Sequence, residues 1–84
     1  MGPEQIQETI VRLLNAAGPG HSISATEVAQ ALKPGAEWNT LMPAVRRVAV
    51  NLALDGRLVI YRKGKLVDPN DFKGVYRLGL PRRD

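Results

Sequence analysis

Apolar residues recur every three or four positions along the first two thirds of the chain, a spacing typical of amphipathic helices. The first helix is predicted over residues 3–17, with proline at a first helical position, where its missing amide hydrogen would have no partner. The second is predicted to begin after Ser24, which forms a capping box with Glu27, and to run to about Leu32. Between these two helices, residues 21–23 are predicted to be short and extended.

The third predicted helix is the longest. Either Asn39 or Thr40 can cap its start, and it runs to about Asp55 before a glycine ends it. Its inward-facing stripe is predicted to consist of Leu41, Val45, Val48, Ala49 and Leu52.

After the third helix the pattern changes to a period of two, which indicates β-strands. Residues 57–62 are predicted to form one strand and residues 75–78 the returning strand, with a turn-rich connection around residues 68–71. Tyr61 and Tyr76 are expected to form a cross-strand pair in this hairpin.

The predicted order is helix, short strand, helix, helix, strand, strand. This is the α+β layout of a winged helix, with a short strand between the first two helices and a C-terminal β-hairpin as the wing. The length of 84 residues suits one such domain over residues 1–84, with residues 80–84 as a flexible tail. The chain has no cysteine, which excludes disulfides and thiolate metal sites.

Three segments carry a resemblance to a known family. They are Ser-Ile-Ser-Ala-Thr-Glu-Val-Ala at residues 22–29, Trp-Asn-Thr-Leu-Met-Pro-Ala-Val-Arg at 38–46, and Lys-Gly-Lys-Leu-Val-Asp-Pro at 63–69. They resemble a bacterial winged-helix family catalogued as domain of unknown function 3253. One departure is Gly74-Val75, where the family is expected to have Gly-Pro, so the start of the last strand differs from the pattern. The resemblance implies the fold and no particular activity or functional residue.

Charge is distributed unevenly along the chain. Residues 1–42 contain two bases and four acids, a net charge of −2, whereas residues 43–84 contain ten bases and four acids, a net charge of +6. A basic half on a small domain favours a polyanionic partner. A solvated basic surface without a partner is the alternative.

Eight side chains are candidates for contact with duplex DNA. On the outward face of the third helix, arginines can fork onto guanine edges or clamp phosphates, and an asparagine can pair with adenine. The basic wing would lie along the phosphate backbone, and the amide-rich start of the second helix offers a further phosphate contact. The candidates are Arg46, Arg47 and Asn51 on the third helix, Arg62, Lys63 and Lys65 on the wing, and Ser24 and Thr26 on the second helix.

The same fold also allows a protein-interaction or dimerisation module. Pro43, Val50 and Leu54 are predicted to point outward together on the third helix. They can touch thymine methyl groups, or they can form an apolar patch that binds another protein or a second copy of the chain.

The sequence lacks the residue combinations that an enzyme active site would need. His21 is the one histidine, so a zinc site lacks ligands, and no serine–histidine pair has an orienting acid at a recognisable spacing. We therefore expect no catalysis, no cofactor and no metal. The chain has no membrane-length apolar run and no secretion-signal pattern, so we expect no membrane partner and a cytoplasmic location.

Overall fold

The computed structural model describes residues 2–35 and 37–81. Over these residues the chain forms three α-helices and one antiparallel sheet of four strands, an α+β fold. The elements are α1 (Pro3–Ala17), β1 (Ser22–Ser24), α2 (Ala25–Leu32), a 3₁₀ turn (Trp38–Leu41), α3 (Met42–Leu54), β2 (Val59–Arg62), β3 (Lys65–Leu66) and β4 (Arg77–Gly79).

The first two helices form where the apolar spacing predicts them. Helix α2 begins with the expected capping box: the Ser24 hydroxyl accepts a hydrogen bond from the Glu27 amide at 3.1 Å, and the Glu27 carboxylate accepts one from the Ser24 amide at 3.4 Å. These reciprocal bonds satisfy amides that have no partner inside a helix, so the sequence defines the start of α2 locally.

Helix α3 begins later than predicted. Residues 38–41 form a 3₁₀ turn, in which the Thr40 hydroxyl donates to the carbonyl of Glu37 at 2.7 Å instead of accepting from an amide of α3. The α-helix begins at Met42, and proline at its second position lies in the first turn, where it costs no hydrogen bond. The inward stripe of α3 is confirmed, since Val45, Val48, Ala49 and Leu52 are buried and Leu41 is half-buried.

The sheet has the strand order β1-β4-β2-β3, so the last strand lies between the first two. Ile23 of β1, Leu78 of β4 and Ile60 of β2 stand opposite one another, and all three are buried against the helices. Because side chains alternate along a strand, Tyr61 and Arg77, which pair with each other, belong to the opposite face. We call this solvent-facing side the outer face of the sheet.

Strand β3 was not predicted. It follows β2 after only Lys63 and Gly64, which both have positive φ angles of 51° and 79°. Two central residues with positive φ are the mark of a type I′ hairpin turn, whose twist matches that of its strands. The β2–β3 hairpin is therefore shorter and tighter than the hairpin expected from the sequence.

The returning strand begins at Arg77, two residues later than predicted, and the expected Tyr61–Tyr76 pair is wrong. Tyr61 stands opposite Leu66 on β3 and Arg77 on β4, whereas Tyr76 precedes β4 and is buried. Tyr61 has a different partner because the register of β4 places Leu78 opposite the buried Ile23 and Ile60. The burial of these residues sets the register, and the connection between β2 and β4 does not.

One cluster of buried apolar residues joins the helices to the sheet. The connection between β3 and β4 adds Phe72 and Tyr76 to this core, although the sequence pattern there indicates only turns. Leu80 and Pro81 are half-buried and Leu80 packs against the core, so these two do not extend away as the predicted tail would. The rest of that predicted tail, residues 82–84, lies outside the described residues.

Candidate nucleic-acid interface

The exposed face of α3 carries both polar and apolar side chains. Arg47 and Asn51 are exposed, and so are Pro43 and Leu54. The relative exposure of Leu54 is 57%. Val50 is only half-buried and packs against the core. Pro43, Arg47 and Leu54 are spaced by four and seven residues, so they follow one another along one side of the helix. The apolar patch predicted from the sequence is therefore divided by a cation and partly covered.

Arg46 points to the connection that follows the hairpin. Its Nη2 donates to the carbonyl of Phe72 at 2.6 Å, and its guanidinium carbon lies 4.0 Å from the centre of the Phe72 ring. The Tyr76 ring centre is 6.0 Å away, and the Phe72 and Tyr76 rings meet edge to face at 5.1 Å. The Arg46 guanidinium thus makes its contacts within the molecule, where it lies over two aromatic rings and donates to a backbone carbonyl.

Arg62 holds the same connection from the sheet. Its Nε donates to the carbonyl of Val75 at 3.1 Å, and its Nη2 lies where a side chain on Gly74 would begin, 2.8 Å from an ideal Cβ. We call residues 72–75 the bridging segment. One arginine of α3 and one of β2 bind carbonyls of this segment, which ties the hairpin to the flank of the helix.

Lys63 and Lys65 are exposed on the hairpin, and Arg57 is exposed just before β2. In the described part of the chain, the ion pairs join Lys33 to Glu37 at 3.4 Å and Arg77 to Glu27 at 3.9 Å, and none involves a cation of α3 or the β2–β3 hairpin. Within the described residues, the positive charges predicted to contact DNA therefore form no ion pair with a carboxylate.

The third predicted contact, at the start of α2, is unfavourable for a phosphate. The Ser24 amide and hydroxyl both bond to the Glu27 carboxylate, at 3.4 and 3.3 Å. A carboxylate thus occupies the place that a phosphate would take, and it would repel a second anion. Thr26 is half-buried beside it. The Ser24 amide and hydroxyl are therefore not free donors for a phosphate.

Two acids lie in the connection between β3 and β4. Asp68 and Asp71 are exposed, and the Asp68 carboxylate accepts a hydrogen bond from the Asn70 amide at 2.9 Å. The Asp71 amide in turn donates to the carbonyl of Asp68 at 3.0 Å. These bonds form a side-chain-stabilised turn, the role expected for such acids in a loop.

Tyr76 is the buried polar group nearest this surface. Its hydroxyl has no hydrogen-bond partner among the described residues. Burial raises the pKa of the Tyr76 phenol above its ordinary value of 10.0, because the anion would lose its hydration, and the charge of Arg46 opposes this effect. The phenol is therefore a neutral packing group at ordinary pH.

Sequence reasoning missed the structural roles of Phe72 and Arg77. Phe72 is the one phenylalanine in the chain and lies in a turn-rich stretch, a context that itself suggests a buried anchor. Arg77 was assigned only to a strand, yet its guanidinium donates to the Ser22 hydroxyl at 2.7 Å and to the Ser22 carbonyl at 3.0 Å. Only the pairing of β1 with β4 brings these two residues together, and no local pattern indicates that pairing.

The described residues contain no helix long and apolar enough to cross a membrane. They also contain no group of three or more histidine, aspartate or glutamate side chains that could hold a metal ion. A family model described as Protein of unknown function (DUF3253) matches residues 3–81. The chain matches no curated protein.

Proposed function

Because the chain belongs to the family described as Protein of unknown function (DUF3253), whose description gives no activity, we propose a function from the geometry alone: binding of duplex DNA in a winged-helix arrangement. In this proposal α3 faces the major groove and the β2–β3 hairpin is the wing, which follows the phosphate backbone. The observation that carries the proposal is the set of exposed cations on α3 and on the hairpin, which make no ion pair among the described residues. The bridging segment holds the hairpin beside the helix.

Each contact has a distinct role. Arg47 and Asn51 are exposed on α3 and are the residues proposed to meet bases or phosphates in the groove. Lys63 and Lys65 are proposed to contact phosphates without regard to sequence. Arg46 and Arg62 are positioning residues, because their guanidinium groups already bind the bridging segment.

Fluorescence anisotropy with a labelled random-sequence duplex, measured at several salt concentrations, tests the proposal. The logarithm of the binding constant should fall with the logarithm of the salt concentration, by a slope of about 0.9 for each phosphate contacted. Lys65→Gln should weaken binding to all sequences alike and reduce this slope by about 0.9.

Arg12→Gln is the matched control for charge. Arg12 is exposed on α1, in the acidic half of the chain, so its loss changes net charge equally without removing a proposed contact. Arg12→Gln should leave the slope unchanged. Equal effects of the Arg12 and Lys65 variants, or binding that does not respond to salt, would exclude the proposed interface.

A second candidate function is protein binding through α3, and the exposure of Leu54 is the observation that favours it. Leu54→Asn, which adds no charge, should then prevent self-association in sedimentation velocity, or binding of a protein partner, while leaving the affinity for duplex DNA unchanged. A loss of DNA affinity in this variant, with no change in sedimentation, would assign Leu54 to the DNA interface instead.

A further inference from the structure

A pocket of about 220 Å³ lies on the outer face of the sheet. Its walls come from three separate parts of the chain, which are residues 20–22 at the start of β1, residues 61–64 of the β2–β3 hairpin, and residues 77–80 of β4 and its end. The lining residues that concern its chemistry are His21, Ser22, Tyr61, Lys63, Arg77 and Leu80. None of them belongs to α3, the element that faces DNA in the proposed function, and only Lys63 is shared with the proposed wing.

The apolar part of the pocket is the ring of Tyr61. The ring leans across β4, where its Cε2 would lie 2.8 Å from a Cβ on Gly79. That distance is closer than any side chain allows, so the ring can take this position only because residue 79 is glycine. Tyr61 is half-buried, which leaves part of its ring surface available to a ligand. Leu80 adds a second apolar contact.

The polar part of the pocket contains two cations, Arg77 and Lys63, which differ in their contacts with the rest of the protein. Arg77 is held in place by its two hydrogen bonds to Ser22, and the Glu27 carboxylate at 3.9 Å offsets part of its charge. Lys63 is exposed and makes no ion pair within the described residues. A fixed guanidinium and an exposed ammonium that line the same pocket favour a compact anion.

The backbone at Lys63 is an independent observation. Lys63 has a φ of 51°, and it is the one residue other than glycine with a positive φ in the described part of the chain. The first position of a type I′ turn favours asparagine, aspartate or glycine, and lysine gains nothing there. Turn chemistry therefore does not explain this residue, whereas a strained position whose side chain lines a pocket points to a binding role.

We propose that this pocket binds one nucleotide, with its phosphate between Lys63 and Arg77 and its nucleoside against the ring of Tyr61. A phosphate matches the two cations and the Ser22 hydroxyl, and every base has a flat face that an aromatic ring can contact. The pocket volume of about 220 Å³ is below the roughly 300–1,000 Å³ typical of sites for drug-sized ligands. The pocket would therefore enclose a single nucleotide only in part, and it has no room for a dinucleotide. The nucleotide can be free or part of a nucleic-acid strand, since both present the same groups.

This inference does not depend on duplex binding by α3. A nitrogen–proton correlation NMR titration separates the two, because nucleotide binding shifts the amides of His21 and Ser22 together with that of Tyr61. Duplex binding shifts those of α3 and of the β2–β3 hairpin, and leaves His21 and Ser22 unchanged. The probes are adenosine 5′-monophosphate, adenosine and inorganic phosphate. The monophosphate should bind at least about tenfold more tightly than either fragment, because only it uses both parts of the pocket.

Lys63→Asn is the decisive variant. Asparagine is favoured at this turn position, so the hairpin should form at least as well as in the natural chain while the ammonium is lost. Affinity for the monophosphate should fall at least about tenfold. The matched control is Lys73→Asn, which removes the same charge at an exposed position outside the pocket, and should change the affinity less than about twofold.

Three results would overturn the proposal. The first is the absence of localised shifts at monophosphate concentrations on the order of 10 mM. The second is an equal loss of affinity in both lysine variants, which would mean diffuse attraction to a basic surface. The third is inorganic phosphate binding as tightly as the monophosphate, which would leave no role for Tyr61.

A further arm identifies the source of the nucleotide. A single-stranded thymidine oligonucleotide of about eight residues, a length within the range of known single-strand sites, is titrated against the same amides. Tighter binding than that of the monophosphate, with the same residues shifted, supports the proposal and assigns the pocket to a strand. Weaker binding, with the monophosphate response retained, supports it and assigns the pocket to a free nucleotide.

Discussion

Arg46 and Arg47 are neighbours in sequence, yet the structure predicts opposite consequences for their loss. Arg46→Met keeps an unbranched side chain but removes the guanidinium that bonds to the Phe72 carbonyl at 2.6 Å and covers the Phe72 ring at 4.0 Å. Arg47→Met makes the same chemical change at an exposed position with no such contacts among the described residues. The first variant should therefore lose stability, and the second should not.

The size of the effect follows from the two contacts. A hydrogen bond from a charged donor contributes about 1.5–3 kcal/mol, and a cation–π contact at a half-buried site contributes about 1 kcal/mol. The two share one guanidinium and are not additive, so we expect Arg46→Met to lower the free energy of unfolding by about 2–3 kcal/mol. For a domain of this size, that loss corresponds to a fall in Tm of about 10–20 °C. Arg47→Met should stay within about 0.5 kcal/mol of the natural chain.

Urea unfolding is the assay, followed by the fluorescence of Trp38, which is the one tryptophan and packs against the core. The midpoint should shift in Arg46→Met while the slope of free energy against urea stays constant, which indicates an unchanged unfolding process. A cycle with Phe72→Leu then isolates the ring contact, because the backbone carbonyl remains in that variant.

For DNA binding we expect the reverse, namely that the loss of Arg47 has an effect and the loss of Arg46 has none. Arg47→Met should reduce the salt slope by about 0.9 if the guanidinium contacts a phosphate. Arg46→Met should leave the slope unchanged, because its charge is already used inside the molecule. The reasoning is refuted if the Arg46 and Arg47 variants unfold at the same urea concentration, since the contacts of Arg46 would then stabilise nothing.

Two further substitutions test the packing beside the proposed surfaces. Tyr76→Phe should raise the free energy of unfolding by up to about 1 kcal/mol, because it removes a buried hydroxyl that has no partner. The pKa of Tyr76 is raised above 10.0 in the folded state, so the contribution of its neutral form is complete below pH 10 and is lost as the pH rises through the folded value. The advantage of Tyr76→Phe in urea unfolding should therefore grow above pH 10, and a constant difference from pH 7 to 11 would contradict the burial of the phenol. Gly79→Ala should cost about 1–2 kcal/mol by thermal unfolding, since the new Cβ would lie 2.8 Å from the Tyr61 ring. The cost should shrink in a Tyr61→Ser background, and an equal cost in both backgrounds would show that the ring does not rest on residue 79.

The helices could be predicted from the sequence because their causes are local. Apolar spacing defines the buried faces of α1, α2 and α3, and the capping box at Ser24 and Glu27 defines where α2 begins. The start of α3 was placed too early because Thr40 can bond backward to Glu37 as readily as forward. A residue with two possible hydrogen-bond partners does not decide a helix boundary by itself.

The sheet was harder to predict because its pairings are long-range. Arg77 pairs with Ser24 and with Tyr61, and neither partner is adjacent in sequence. Strand β3 has only two residues, too few to show alternation, and Lys63–Gly64 is not a dipeptide that indicates a type I′ turn. The same lysine that conceals the hairpin from sequence analysis is the residue on which the nucleotide pocket depends.

Helix geometry explains why the candidate DNA interface could be predicted only in part. At about 100° per residue, Arg46 and Asn51 point about 140° apart, with Arg47 between them. All three count as outward-facing in a helical pattern, because that pattern records only which side meets the core. Whether a flank is free depends on what the rest of the chain places against it, and here the bridging segment covers the flank of Arg46. Arg62 of β2 donates to the same segment. The hydrogen bond from Arg46 to Phe72 therefore also holds the hairpin beside the helix. Arg46, which sequence reasoning places among the DNA contacts, is thus one of the two residues that hold the bridging segment, and through it the hairpin, beside α3.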